Sequence, residues 1–115
     1  MNPIQITFRG MSTSEALAEH IRGEYDKLVE LYHRISSAHA VVEQAHRHQQ
    51  KGRHFQCHLT LRVPGKDLAV TRDPVDREAR EDAYAAVDEV FQIARRMLQE
   101  HVEKVKLEGR HEELV

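Results

Sequence analysis

Three features of the sequence predict an α+β fold of two layers, ordered β-α-β-β-β-α, with a four-stranded sheet and two helices packed on one face. Residues 54–63 alternate polar and apolar without a break, two segments (17–32 and 83–105) each carry one apolar stripe at helical spacing, and Gly or Pro marks several of the joins. Elements with a single apolar face pack most simply as two layers, which leaves the far side of the sheet to solvent or a partner.

Taken in order, Ile4, Ile6 and Phe8 alternate with Gln5, Thr7 and Arg9, the period of a strand with one buried face, and Gly10 ends it. Ser12 followed by Glu15 fits a capping box, after which Leu17, Ile21, Leu28, Leu31 and Tyr32 recur at helical spacing to about Arg34. Gly23 weakens this helix without breaking it. β-Branched and small residues from Ile35 to Ala45, Val41 and Val42 among them, predict a second strand, and Gln49-Gln50-Lys51-Gly52 a turn. In the third strand Phe55, Cys57, Leu59, Leu61 and Val63 point to the core, while His54, Gln56, His58, Thr60 and Arg62 point away. Pro64-Gly65-Lys66-Asp67 turns the chain into a fourth strand marked by Leu68 and Val70, ending near Asp73-Pro74. Residues 73–82 read as an exposed, mobile connection. Val87, Val90, Phe91, Ala94, Leu98, Val102 and Val105 then draw the stripe of a long second helix. The domain is expected to occupy residues 1–106, and 107–115, mostly charged and past the stripe, to be a disordered tail.

A chain of 115 residues holds one domain with one modest core. A lone Cys57 forms no internal disulfide, no apolar run reaches membrane-spanning length, and no targeting segment opens the chain. The expectation is a soluble, cytoplasmic protein with no membrane partner. A net charge of -2 with nine His argues against a strongly basic nucleic-acid protein, so the distribution of charge decides.

That distribution is uneven. Asp and Glu make up 19 of the 115 residues, yet none lies between Gln44 and Lys66, where about four would be expected. The same segment carries Arg47, Lys51, Arg53, Arg62 and Lys66 with His46, His48, His54 and His58. Two readings stay open for this basic hairpin: contact with phosphates, which gives affinity and register without reading bases, or cations that protect sheet edges from pairing with other chains. Base stacking is not expected, because Phe55, the one aromatic in the segment, faces the core. Off the stripe of the second helix lie Arg95, Arg96, Lys104 and Lys106, with Glu100 four residues from Arg96 and Lys104, so that local ion pairs are expected to blunt this row.

His46, His48, His54 and His58 would bring imidazoles together for Zn²⁺, Ni²⁺ or Cu²⁺, but no Cys or carboxylate in the hairpin completes a ligand set, so neither a metal nor any other cofactor is expected. No nucleophile with a base and no phosphate-cradling Gly loop is present: Cys57 belongs to the core and Ser12 to a cap, which predicts a protein that is not an enzyme. Tyr84 and Asp88 have structural explanations within the second helix, Tyr84 by burying its ring.

Ser14-Glu15-Ala16-Leu17, Lys27-Leu28, Arg34-Ile35, Val41-Val42, the run Ala83-Tyr84-Ala85-Ala86-Val87-Asp88, and then Arg96, Leu98, His101 and Lys104 stand in an order and spacing that resemble the short ribosome hibernation-promoting factors. This family is also called ribosome-associated inhibitor A or sigma-54 modulation protein, and the resemblance runs from Ile4 to about Lys106. It implies a fold like that of double-stranded-RNA-binding domains and a place in the small-subunit decoding channel, where the protein blocks mRNA and tRNA sites under stress. It also implies rRNA contacts at Lys27, Arg34, Arg96 and Lys104. Ile93, Glu100 and Val102 depart from the cations the family continues along this helix, while His46-Arg47-His48 and Lys51-Gly52-Arg53 enrich the hairpin, as if positive charge had moved there. Arg47, Lys51, Arg53, Arg62, Lys66 and Arg95 therefore join the expected rRNA contacts.

The expectation is a translation inhibitor whose partners are the small ribosomal subunit and its rRNA, with no small-molecule substrate. Direct bridging of ribosome pairs is not expected, since no second domain follows. The alternative is a protein-interaction or assembly domain that reuses the fold without binding ribosomes, through the open sheet face or through Phe91 and Met97.

Overall fold

The computed structural model describes residues 3–45, 54–72 and 82–114. Its elements are β1 (Ile4–Arg9), α1 (Glu15–Leu31), β2 (Ser37–Ala45), β3 (His54–Val63), β4 (Lys66–Arg72) and α2 (Ala83–Leu114). The sheet order is β1-β2-β3-β4. β1 and β2 pair in parallel, as a strand-helix-strand crossover requires, and the pairs β2–β3 and β3–β4 are antiparallel. Both helices lie on the face formed by Ala38, Ala40, Val42, Cys57, Leu59, Leu61, Leu68 and Val70, the arrangement the alternation predicts.

Two glycines are demanded by geometry. Gly10 leaves β1 at φ +67, and a Cβ there would stand 2.5 Å from the carbonyl oxygen of Gln44, so only Gly lets the chain pass β2 on its way to α1. Gly65 has φ +88 in the two-residue turn that follows Val63, after Pro64, which presets the preceding φ.

α1 starts later than the expected capping box. Ser14 is its N-cap, with extended backbone and an Oγ that accepts from the Leu17 N–H at 3.2 Å. Ser12 lies outside the helix, and Glu15 becomes the acidic residue of the first turn, where it complements the helix dipole. Leu17, Ala18, Ile21, Tyr25 and Leu28 are buried, whereas Leu31 and Tyr32 are half-buried.

On β3, Phe55, Cys57, Leu59, Leu61 and Val63 are all buried, as the alternation predicts. His54, expected to point outward with His58, is also buried, at 9% exposure, and its Nε2 has no partner among the described residues. In α2, Val87, Val90, Phe91, Ala94 and Leu98 are buried, and the stripe then takes in His101. The expected tail at 107–115 is instead helix as far as Leu114. Extending an existing helix needs no new nucleus, and the Leu, Glu and Arg residues there favour it. The expected mobile connection over 73–82 and the hairpin tip at 46–53 lie outside the described residues, apart from Asp82, whose Oδ1 caps α2 by accepting from the Tyr84 N–H at 2.9 Å.

Candidate nucleic-acid interface

The two helices run side by side in the same direction, because the His20–Asp88 contact near their starts is followed by Tyr32 against His101 further along both. The C-terminal end of α1, the β3–β4 turn and the second half of α2 therefore meet at one end of the sheet. His101 is at the centre of this junction, 7% exposed, its ring edge-on to Tyr32 at 5.8 Å between centroids. Neither of its ring nitrogens, nor the Tyr32 hydroxyl, has a partner among the described residues. Burial, the largest influence, holds the His101 pKa below its usual value; the ammoniums of Lys66 and Lys104 push the same way, and Glu108 opposes them.

Around this junction stand four of the expected cations. Arg34 follows Tyr32 and is exposed, Lys66 and Lys104 are exposed and close enough for their charge to be felt at His101, and Arg62 lies beside the turn. Ser36 ties the Arg34 segment to β3, with its backbone N–H donating to the Arg62 carbonyl at 2.9 Å and its Oγ donating to the same oxygen at 3.2 Å. Arg62 is engaged by Asp67 at 3.4 Å, an exposed pair of small energetic weight. Arg34, Lys66 and Lys104 have no ion pair among the described residues.

The remaining expected contacts are scattered. Lys27 sits on α1 and donates to Glu24 at 2.9 Å, which leaves it partly engaged. Arg95 and Arg96 are exposed on α2. The ion pairs expected to blunt this row are absent among the described residues: Glu100 bridges neither Arg96 nor Lys104, so all three stay solvated and the cations keep their charge for a partner. Arg47, Lys51 and Arg53 lie outside the described residues.

The open face of the sheet is polar. Thr7 and His39 share a hydrogen bond of 2.8 Å, and Gln5, Ser37, His39, Thr60, Arg62 and Asp67 line a shallow groove of about 500 Å³. This face offers hydroxyl, amide, imidazole and guanidinium groups together with the Asp67 carboxylate, a polar chemistry that suits a polar partner better than an apolar one. Phe91 is 3% exposed within the core, which removes it as a contact for another chain, while Met97 is half-buried.

Nucleophilic chemistry finds no support among the described residues. Cys57 is fully buried, with its thiol pushed up to about 12 by burial, and Ser14 is a helix cap. Tyr84, expected to bury its ring, is 41% exposed and sits edge-on to His20 at 5.2 Å. Beneath it His20, Glu24 and Asp88 come together, the one group of potential metal ligands among the described residues. Sequence reasoning missed this trio because it draws on two helices far apart in the chain. It also missed the burial of His101, which follows from the apolar stripe of α2 once its period is continued past Leu98. No helix among the described residues is long and apolar enough to cross a membrane.

No curated protein sequence matches the chain. Its fold is similar to that of a ribosomal subunit interface protein from Coxiella burnetii, with a TM-score of 0.69 at 18% identity over 87% of this chain and 97% of that one. It is also similar to the N-terminal domain of Protein Y from Thermus thermophilus, with a TM-score of 0.64 at 15% identity over 88% and 99% of the two chains. Likenesses at such identities establish the two-layer α+β fold. The sequence itself carries the assignment further: residues 4–106 match the model of one family along nearly the whole folded part, and the chain belongs to the sigma 54 modulation protein / S30EA ribosomal protein family.

Proposed function

We propose that this protein is a ribosome-associated translation inhibitor that binds rRNA in the decoding channel of the small subunit and blocks the mRNA and tRNA sites under stress. The family match over residues 4–106 carries this reading. The cations Arg34, Lys66 and Lys104 at one end of the sheet, without an ion pair among the described residues, and Arg95 and Arg96 along α2 support it, because phosphate contacts from Lys and Arg supply sequence-independent affinity. One protein of like fold is named as a ribosomal subunit interface protein, and the polar open face is compatible with an RNA backbone. Such a protein acts by occupying a site and needs no enzymatic step, no cofactor and no small-molecule substrate.

Two groups of cations compete for the main role: those of the hairpin tip, Arg47, Lys51 and Arg53, and those of the junction, Arg34, Lys66 and Lys104. Co-sedimentation of untagged protein with separated ribosomal subunits across a salt series, with each trio reversed to Glu in turn, tests the function and locates it. Salt-sensitive binding to the small subunit that at least one variant loses is the expected result. Absence of binding at low salt would overturn the proposal and leave a protein-interaction domain that reuses the fold.

A further inference from the structure

His20, Glu24 and Asp88 meet where the start of α2 crosses the first half of α1. His20 and Glu24 are four residues apart and so share one face of α1, and Asp88 reaches them from α2. One ligand atom from each lies within 4.8 Å of the other two, and His20 Nε2 and Asp88 Oδ1 are already 2.6 Å apart. All three side chains are half-buried. Glu24 accepts from the Lys27 ammonium at 2.9 Å through Oε1, and Asp88 has no cation partner among the described residues apart from His20 when that imidazole is protonated. Among the described residues, two carboxylates thus face one imidazole with a single lysine in attendance.

We infer that these three residues form a site for a divalent late-transition-metal ion, of which Zn²⁺ is the natural occupant. An imidazole nitrogen with two carboxylate oxygens is a donor set that Zn²⁺ accepts at bonds of about 2.0–2.2 Å, with water in the fourth position. Tetrahedral ligands at such bond lengths stand roughly 3.4 Å apart. The His20–Asp88 contact therefore opens by about 0.8 Å, and the Glu24 carboxylate, within 4.8 Å of both, closes by at most about 1.4 Å, shifts within the reach of side-chain rotation. The imidazole sets the selectivity, because Mg²⁺ and Ca²⁺ favour all-oxygen shells. The Tyr84 ring sits edge-on to the His20 imidazole, with 5.2 Å between centroids. Because its ligands come from both helices, the bound ion fastens the start of α2 to α1. It does so at the end of the helix pair opposite the cation junction around His101, and it does not rest on the proposal of ribosome binding.

Calorimetric titration of Zn²⁺ into the untagged, metal-free full chain tests the assignment, with His20→Ala, Glu24→Gln and a His46→Ala/His48→Ala double variant alongside. The wild type is expected to bind one equivalent, to gain thermal stability from Zn²⁺, and to prefer Zn²⁺ over Mg²⁺ by at least roughly a hundredfold. His20→Ala and Glu24→Gln are each expected to weaken binding about tenfold or more, while the hairpin variant keeps the wild-type affinity. Glu24→Gln is a near-isosteric change at a partly exposed position, so its unliganded melting temperature, measured in parallel, separates loss of a ligand from loss of folding. Zn²⁺ affinity unchanged in both His20→Ala and Glu24→Gln, loss of binding in the hairpin variant, equal affinity for Mg²⁺, or no binding to the wild type would each overturn it.

Discussion

His101 is held by the fold in the form that water favours less at acid pH. Its ring is buried edge-on against Tyr32, and burial first, then Lys66 and Lys104, lowers its pKa against the weaker opposing pull of Glu108. The sign of the consequence is fixed: with a folded pKa below the unfolded value of about 6.5, the contribution of neutral His101 is complete above that value and is lost as pH falls through the folded pKa. Urea unfolding between pH 7.5 and 5 should show declining stability, and His101→Phe, which keeps a ring against Tyr32, should flatten the decline. Coincident slopes for the two proteins would remove His101 from the account. The opposite case is Cys57, whose thiol is pushed up to about 12 and fully buried. A thiol reagent at pH 8 should label it only as fast as the protein opens, and a native-state rate matching that in denaturant would contradict this burial.

Among the elements, β3 was the most legible, because strict alternation in a strand buried on one face allows no other register without exposing Phe55, Cys57, Leu59, Leu61 and Val63 together. α1 was legible in kind but not at its start. Ser12 and Ser14 are both good caps, and the chain passes Gln44 closely at Gly10 before α1 is capped at Ser14, a contact between elements that no local pattern records. Ser14→Ala should cost about 1 kcal/mol by orphaning the Leu17 N–H, whereas Ser12→Ala should cost almost nothing, and equal costs in chemical denaturation would restore the earlier start. Gly23 lies exposed inside the same helix, with no atom within 4 Å of where a Cβ would be. Gly23→Ala should therefore add roughly 0.5–1 kcal/mol, read as a raised denaturation midpoint at unchanged m-value. The far end of α2 was misjudged for a different reason: loss of the apolar stripe after Val105 removes packing, but it does not remove helix propensity.

At the scale of the whole molecule, what the sequence hides is which residues the parallel pairing of α1 and α2 brings together. His20 and Asp88 are 68 residues apart, and only the docking of the helices makes them neighbours. The same docking gathers Arg34, Lys66 and Lys104, each read from the sequence as one cation among many, around the end where α1, the β3–β4 turn and α2 converge. None of the three has an ion pair among the described residues, Glu100 leaving Lys104 solvated, so their charge is available to a polyanion. If the junction is the rRNA-binding end, each of the three releases about one counterion equivalent when it meets a phosphate, and the logarithm of affinity should fall linearly with the logarithm of salt concentration. Replacing Arg34, Lys66 and Lys104 by Ala one at a time should shallow that slope by about 1 each, with nearly additive effects, while Arg62→Ala should change it less because Asp67 already holds the guanidinium. Binding isotherms on purified small subunits at several salt concentrations measure the slopes directly. Unchanged slopes for the three, with a reduced slope on removing Arg47, Lys51 and Arg53, would move the contact to the hairpin tip and make the junction a structural feature of the helix pair.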